Sequence, residues 1–161
     1  MNKAYLLTGG NIGDRKLHLQ QALEHIEQHV GRVTAASGIY ETAAWGKTDQ
    51  APFFNQALEV NTPLTAEEVL NAVLSIEAAM GRLRHEKFGP RMIDIDILLY
   101  NSAIIHEPDL VVPHPELHNR RFALTPLAEI AKDVIHPVYN KTIAILLQQC
   151  QDTLPVKKLN N

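Results

Sequence analysis

The chain has 161 residues, of which 45% are hydrophobic and 20% charged, and it carries a net charge of −3 and one cysteine, Cys150. This balance is typical of a folded domain and argues against a disordered chain, a disulfide framework or a general nucleic-acid binder. No apolar run approaches the roughly 18 residues of a membrane helix, and the N-terminus lacks the pattern of a signal peptide. We therefore expect a single cytoplasmic domain over residues 1–161, with neither membrane nor nucleic acid among its partners.

The first half of the chain predicts strands and helices in alternation. Apolar runs indicate strands at 4–8, 33–40 and 54–62. A helix is expected between the first two strands, where either Asn11 or Asp14 is placed to cap it. A second helix is expected after the third strand, because Thr65 and Glu68 have the spacing of a capping box.

The second half predicts a strong strand over 93–100 and a short arm at 103–105 that pairs with it as a hairpin. Two helices are expected at 122–130 and 142–150, and the polar tail after Pro155 is expected to be loose. The order of strand, helix, two strands, helix and strand is that of a ferredoxin-like βαββαβ sandwich. We therefore predict an α+β fold with an extra hairpin strand and C-terminal helices.

Two acidic residues interrupt the strand predicted over 93–100. Because side chains alternate between the faces of a strand, Asp94 and Asp96 should share one face. The opposite face should then point to the core with Ile93, Ile95, Ile97 and Leu99. Two like charges on one face repel each other, a bound cation removes that cost, and carboxylates without nearby cysteine suit Mg²⁺. The alternative is a solvated strand face with two chance acids.

Basic residues crowd the loop directly upstream of this strand, at Arg82, Arg84, Lys87 and Arg91. Guanidinium groups offer paired donors to phosphate oxygens, and paired acids hold the metal that neutralises the remaining charge. The combination indicates phosphate chemistry on a nucleotide, with an ordinary basic surface loop as the alternative. Glu77, near the end of the second helix, is either a ligand contact beside this loop or a plain surface acid.

A second long loop separates the strands predicted at 33–40 and 54–62. Trp45 lies in it, and Phe53 and Asn55 follow where it closes. An aromatic ring and an amide near each other suit a flat heterocycle, which needs both stacking and hydrogen bonds. The alternative is that Phe53 and Phe54 alternate at the start of a strand, with Phe54 the better candidate for the core.

Residues 87–98 (KFGPRMIDIDIL) closely resemble the signature of the 6-hydroxymethyl-7,8-dihydropterin pyrophosphokinases, enzymes of folate biosynthesis. Further blocks resemble the same family in the same order, namely 9–14 (GGNIGD), 41–46 (ETAAWG), Phe53 with Asn55, 112–115 (VPHP), Asn119 with Arg120, Phe122 and 126–131 (PLAEIA). The resemblance covers roughly residues 4–150. It implies transfer of diphosphate from ATP to the hydroxymethyl group of a reduced pterin, with release of AMP.

The resemblance also implies roles for individual residues. Asp94 and Asp96 would hold two Mg²⁺ ions along the triphosphate, and Arg82 and Arg91 would be catalytic by stabilising the charge that develops at the β-phosphorus. The implied ATP-binding residues are Glu77, Arg84, Lys87, His114 and Arg120. The implied pterin-binding residues are Thr42, Trp45, Phe53, Asn55 and Phe122. The only partners would be the two small-molecule substrates, and we expect a monomer.

The chain departs from the common family pattern at Gly10, Ala43, Ala44, Met92 and Asp109. None of these positions is one of the two aspartates or Arg82. Two alternatives remain: a small-molecule or RNA-binding module of the same fold, and a phosphotransferase with another alcohol acceptor. The acidic net charge and the aspartate pair count against RNA, which favours basic and aromatic sheet residues.

Overall fold

The computed structural model describes residues 1–43, 51–81 and 92–160. Within these ranges the chain forms ten strands and four α-helices, and none of these helices has the length and apolar character that crossing a bilayer requires. The strands are β1 (Asn2–Gly10), β2 (Arg32–Ala36), β3 (Tyr40–Thr42), β4 (Phe53–Thr62), β5 (Asp94–Tyr100), β6 (Ile105–Glu107), β7 (Leu110–Val112), β8 (Ile135–His136), β9 (Lys141–Thr142) and β10 (Val156–Lys158). The helices are α1 (Arg15–His29), α2 (Ala66–Ala79), α3 (Arg121–Ala131) and α4 (Ile143–Gln149).

Six of these strands form one antiparallel sheet, in the order β10, β3, β4, β1 and β5, while β2 pairs with the second half of β4. Helices cover both faces. Ala4 and Leu6 of β1 pack with α1 and α2 in a first apolar cluster, and Tyr5 and Leu7 pack with α3 and α4 in a second. Because β1 is buried on both faces, residues 4–7 at its centre are all apolar instead of alternating with polar residues.

The two helices of the first face begin where the sequence predicts. The Asp14 carboxylate accepts the backbone N–H of Leu17 at 3.1 Å, so Asp14 and not Asn11 caps α1. The capping box before α2 is confirmed: the Thr65 hydroxyl accepts from Glu68 N–H at 3.2 Å, and the Glu68 carboxylate accepts from Thr65 N–H at 2.9 Å. These bonds satisfy backbone donors that a helix start leaves without partners.

Two predicted strands are placed differently in the structure. The strand expected over 33–40 is split into β2 and β3, and between them the Ser37 hydroxyl donates to the Gly38 carbonyl at 2.7 Å. The arm expected at 103–105 does not pair with β5. Instead β6 pairs with β7 across a two-residue turn that begins with Pro108, a residue whose fixed φ favours such turns.

A bulge in β5 separates its acidic end from its apolar end. Leu98 is an extra residue in the pairing of β5 with β1, because Leu6 lies opposite Ile97 and Tyr5 lies opposite Leu99. The side chains after this bulge therefore no longer follow the strict alternation of the residues before it. Ile95 and Ile97 face the first cluster as predicted, but Leu99 belongs to the second. The prediction that Leu99 shares a face with Ile97 is therefore wrong.

The tail after Pro155 is not loose. Residues 156–158 form β10, antiparallel to β3, and the N–H of Leu159 donates to the Ile39 carbonyl at 2.8 Å. The prediction failed because it used side-chain polarity, whereas an edge strand is held by its backbone groups.

Candidate active site

Three neighbouring strands place a polar row on the face of the sheet that α3 and α4 cover. Gly9 of β1 lies opposite Asn55 of β4 on one side and opposite Asp94 of β5 on the other. Asn55 is two residues from Ala57, which belongs to the second cluster, so the row points to that face. Because adjacent strands are about 4.8 Å apart, the backbones of Asn55 and Asp94 are about 10 Å apart.

The glycine in this row is needed because the Asn55 side chain packs directly over it. Asn55 is 7% exposed, and its amide donates to the Thr8 carbonyl at 3.3 Å. A β-carbon at Gly9 would overlap Asn55 Nδ2 and would lie 3.1 Å from its Cγ. Gly9 therefore lets the amide lie flat against β1 and leaves no side chain between Asn55 and Asp94.

Thr42 and Phe53 extend this surface beyond Asn55. They lie opposite each other in β3 and β4, two residues along from the pair formed by Tyr40 and Asn55, so they point to the same face. Thr42 is 3% exposed, and within the described residues its hydroxyl has no hydrogen-bond partner. A buried polar group without a partner costs free energy, so this hydroxyl favours a polar ligand. Phe53 is half-buried, whereas Phe54 is in the core, as the alternative interpretation predicted.

Phe122 approaches the same face of the sheet from α3. It lies in the first turn of that helix, is half-buried and packs against the second cluster. The guanidinium carbon of Arg120 is 5.6 Å from the centre of its ring, within the range of a cation–π interaction. The polar row therefore has half-buried phenylalanines on its side of the sheet, from β4 and from α3.

Asp94 and Asp96 lie on this face at the start of β5. Both are half-buried, and they alternate with Ile95 and Ile97, which are 5% and 7% exposed. The shared face predicted for the two carboxylates is confirmed. The described residues contain no group of three or more His, Cys, Asp or Glu that could hold a metal. Two carboxylates nevertheless fit Mg²⁺, which takes its other ligands from substrate phosphates and water.

Glu77 reaches the same end of β5 from α2. It is 3% exposed, and its carboxylate accepts the backbone N–H of Ile95 at 2.7 Å. A buried carboxylate requires such partners because its charge is otherwise poorly solvated. The alternative that Glu77 is a surface acid is wrong, and the bond holds α2 to the residue between the two aspartates.

His114 lies beside β5 as a neutral hydrogen-bond donor. Its backbone N–H donates to the Leu98 carbonyl at 3.0 Å, and its Nδ1 accepts the N–H of Glu116 at 3.1 Å. Burial, together with the charge of Arg120, lowers the pKa of His114 to about 4, against smaller opposing effects of Glu116 and Asp94. At neutral pH the ring therefore carries its one proton on Nε2, which can donate to an anion without adding charge.

Some predicted site residues cannot be compared with the structure. Trp45, Arg82, Arg84, Lys87 and Arg91 lie outside the described residues, and their roles stay predictions. Among the described residues, the face of the sheet that α3 and α4 cover holds both aspartates and four of the predicted pterin residues, namely Thr42, Phe53, Asn55 and Phe122. Glu77 reaches β5 from the other face.

Gly9 is a candidate site residue that the sequence did not predict. Glycine pairs are common where a strand ends, so they do not indicate a binding site. The spacing of Gly9 from Asn55 and Asp94 along the chain does not indicate that the three residues are neighbours. Only the registers of β1 with β4 and β5 reveal that it lies between them.

Comparisons with known proteins identify the family of the chain. Residues 5–132 match the family model described as 7,8-dihydro-6-hydroxymethylpterin-pyrophosphokinase. The chain is 48% identical over 136 residues to the 2-amino-4-hydroxy-6-hydroxymethyldihydropteridine pyrophosphokinase of Methylorubrum extorquens, covering 84% of this chain and 86% of that protein. It is 46% identical over 134 residues to the Bacillus subtilis protein of the same name, covering 83% of this chain and 80% of the relative.

The fold also matches a solved structure. The HPPK-DHPS protein of Plasmodium falciparum superposes with a TM-score of 0.76 at 20% identity, over 92% of this chain and 43% of that longer one. The present chain therefore spans less than half of that protein, and this likeness concerns the fold alone.

These findings define a kinase-type transferase with an antiparallel sheet and helices on both faces. The chain belongs to the 7,8-dihydro-6-hydroxymethylpterin-pyrophosphokinase family. It transfers diphosphate from ATP to 6-hydroxymethyl-7,8-dihydropterin, which is a step of folate biosynthesis. The family resemblance noted in the sequence is thus confirmed.

Proposed function

We propose that the two substrates meet over the row Asn55, Gly9 and Asp94, with the pterin at the Asn55 end and the triphosphate at the Asp94 end. The observation that carries this proposal is the strand register, which sets the two backbones about 10 Å apart with a glycine between them. A pterin held at Asn55 would extend its hydroxymethyl group over Gly9 toward the carboxylates.

The pterin is bound by hydrogen bonds at its polar edge and by stacking on its faces. Thr42 and Asn55 supply the hydrogen bonds, and the buried hydroxyl of Thr42 supports this assignment because it has no partner within the described residues. Phe53 and Phe122 supply the stacking, since both are half-buried on the same side of the sheet. Trp45 is added to this group on the family resemblance.

Asp94 and Asp96 are the residues that hold Mg²⁺, and the resemblance points to two ions. When bound, Mg²⁺ neutralises charge on the triphosphate. The chain itself contributes the alignment of the two carboxylates, which strand alternation directs to one face. Glu77 supports this alignment by bonding the backbone of Ile95 between them.

The phosphates of ATP are bound by donors of two kinds. His114 offers a neutral N–H, because its low pKa keeps the ring uncharged, and Arg120 offers a full positive charge. Arg84 and Lys87 are supporting cations, and Arg82 and Arg91 stabilise the charge that develops during transfer; these four roles rest on the resemblance.

Transfer needs positioning and charge stabilisation and no covalent intermediate on the protein. The acceptor hydroxyl oxygen bonds to the β-phosphorus as the bond from that phosphorus to the α–β bridging oxygen breaks. AMP leaves with the electron pair, and the hydroxyl proton is released to water. The side chains placed on the row are consistent with this scheme, because they orient the acceptor and the phosphates.

Further proposals concern the fold, the location and the oligomeric state of the whole chain. The sheet order β5, β1 and β4, followed by β2 and β3, supports a ferredoxin-like sandwich with α1 and α2 on one face. We further propose one catalytic domain over residues 1–161 that acts as a cytoplasmic monomer, with no nucleic acid or membrane partner. Sedimentation at micromolar concentration tests the monomer, since a dimer would double the mass.

The site assignment is tested with Phe53→Ala and Phe122→Ala. Each change should weaken pterin binding roughly 10- to 100-fold, because stacking of a flat ring on an aromatic side chain contributes about 1–3 kcal/mol. ATP binding should change little. Tyr139→Ala, at an exposed aromatic residue outside the polar row, is the matched control. We call the proposed pterin site between Thr42, Asn55, Phe53 and Phe122 the pterin slot. Unaltered pterin affinity in both phenylalanine variants would show that this slot is placed wrongly.

A further inference from the structure

The C-terminal strap, residues 150–159, is bonded to both sides of the proposed pterin slot. One side is α3, which carries Phe122, and the other is β3, which carries Thr42. We infer that this strap sets the separation of the two sides and thereby determines pterin affinity without touching the substrate. The inference rests on the proposed function of the slot.

The first attachment is at the start of α3. Arg121, the neighbour of Phe122, donates from Nε to the Asp152 carbonyl at 2.8 Å and from Nη2 to the Cys150 carbonyl at 3.0 Å. Its backbone N–H donates to the Asp152 carboxylate at 3.1 Å. Three bonds from one residue fix the strap to the helix turn that presents Phe122.

The second attachment is to β3. In the β10 pairing, Val156 lies opposite Thr42, and Lys158 lies opposite Tyr40. The Leu159 N–H extends this pairing by donating to the Ile39 carbonyl at 2.8 Å. Since β3 has only three residues, β10 supplies one of its two strand neighbours and supports the backbone that carries Thr42.

Glu129, near the C-terminal end of α3, joins both attachments. Its carboxylate accepts the Tyr40 hydroxyl at 2.6 Å, the Gly38 N–H at 3.1 Å and the Lys158 ammonium at 3.3 Å. A β-carbon at Gly38 would lie 2.6 Å from the Lys158 side chain, so the glycine makes room for this contact. Glu129 follows Phe122 by seven residues, about two helical turns, and so lies on the same face of α3.

These bonds form a closed connection from Phe122 through α3, Glu129 and the strap to Thr42. Phe122 and Thr42 come from different elements, so the separation between them depends on what joins those elements. Pre-organising the two sides lowers the ordering cost of binding. The strap lies beyond residues 5–132, the part that the family model matches, so family membership does not imply this role.

The test compares binding of two ligands in a chain that lacks residues 156–161. Affinity for 6-hydroxymethyl-7,8-dihydropterin is measured with Mg²⁺ and α,β-methylene-ATP, whose α–β bridge cannot be cleaved by transfer. We expect the pterin Kd to rise about tenfold, because pre-organisation is lost, while the Kd of the nucleotide stays unchanged. An unchanged pterin Kd in the folded variant, or equal loss of both affinities, would overturn the inference.

A point substitution keeps the inference testable if the shortened chain does not fold. Lys158→Met removes the ion pair with Glu129 and should raise the pterin Kd about two- to threefold, as expected for a half-exposed pair. Lys157→Met, at the exposed neighbour in β10, is the matched control and should leave the Kd unchanged. Equal Kd values in these two variants would overturn the inference.

Phe122→Ala in the full chain separates this inference from the proposed slot. If that change leaves the pterin Kd unaltered, the slot itself is wrong. If it weakens pterin binding while the strap variants do not, the slot stands and only the inference about the strap fails.

Discussion

The two faces of the central sheet differ in how far their apolar packing extends. On the face of α1 and α2, buried apolar residues continue along β5 through Ile97 and Ile95, and Ile93 follows directly before the strand. On the face of α3 and α4, apolar packing includes Leu7 and Ala57. Two residues further along the strands, the same face carries Gly9, Asn55 and Asp94 instead. One set of strands therefore builds a full core on one side and the candidate binding surface on the other, because alternate residues of a strand belong to different faces.

The largest expected effect comes from breaking the polar face at Asp96. Asp96→Asn keeps the size of the side chain and removes its charge, so kcat/KM should fall on the order of 10³-fold, as when a transition-state charge loses its partner. Mg²⁺-dependent ATP binding should be lost with it, and the unfolding midpoint should not fall. Asp109→Asn, in the exposed turn between β6 and β7, is the control. Retained turnover at ordinary Mg²⁺ would show that Asp94 and Asp96 do not hold the metal.

Ile97, which follows Asp96 in β5, tests the apolar face of the sheet. Ile97 is 7% exposed in the first cluster, and Ile97→Ala should lower the free energy of unfolding by about 2–4 kcal/mol through lost burial and a cavity. Denaturant titration measures this loss. KM for both substrates should stay unchanged in the folded enzyme, and a selective rise in one KM would show that the two faces are not separate in function.

Gly9→Ala places a methyl group where the Asn55 amide now lies. Overpacking costs about 1–3 kcal/mol, so KM for the pterin should rise roughly 5- to 100-fold as the amide is displaced. In an Asn55→Ala background the same change should cost little more, because the overlapping amide is gone. Additive effects in this double-mutant cycle would contradict a direct contact between the two positions.

The smallest expected effect is on the pH dependence of stability. His136, between α3 and α4, is 2% exposed, and its Nδ1 accepts the Val138 N–H at 3.2 Å. Burial, with a contribution from His118, lowers its pKa below the ordinary 6.5. The unfolded chain therefore binds this proton at a higher pH than the folded chain does, so stability that is full above pH 6.5 is lost as the pH falls.

His136→Gln should make this loss of stability on acidification shallower without abolishing it, because His114 also has a lowered pKa. Unfolding free energies from pH 7.5 to 4.5 measure the slope. His106→Gln, at an exposed histidine of β6, should leave the slope as it is. An identical slope in both variants would show that His136 does not contribute.

Local chemistry made much of the fold predictable. The Thr65 capping box and the acidic alternation of β5 depend on residues within a few positions of one another, so their spacing is visible in the sequence. The bulge at Leu98 was not predictable, because it depends on the register of β5 against β1. The pairing of β10 was missed for a similar reason, since its partner β3 is more than a hundred residues away.

The candidate site divides in the same way. The aspartate pair and the aromatic residues could be proposed from the sequence because their types and local patterns indicate chemistry. The position of the proton on His114 depends on its bond to Glu116, and the buried carboxylate of Glu77 depends on its bond to Ile95. Neither partner can be read from the residue type alone. Gly9 has no side chain to suggest a role, and only its two strand neighbours give it one.

The pairing of β10 with β3 also bears on self-association. Without β10, the backbone groups of β3 would be left at the edge of the sheet, ready to pair with a strand of another chain. The edge that β10 presents instead is three residues long and carries Lys157 and Lys158, and short, positively charged edges discourage such pairing. The same strand that pairs with β3 beside Thr42 thus also gives the sheet an edge of the kind that disfavours pairing between copies.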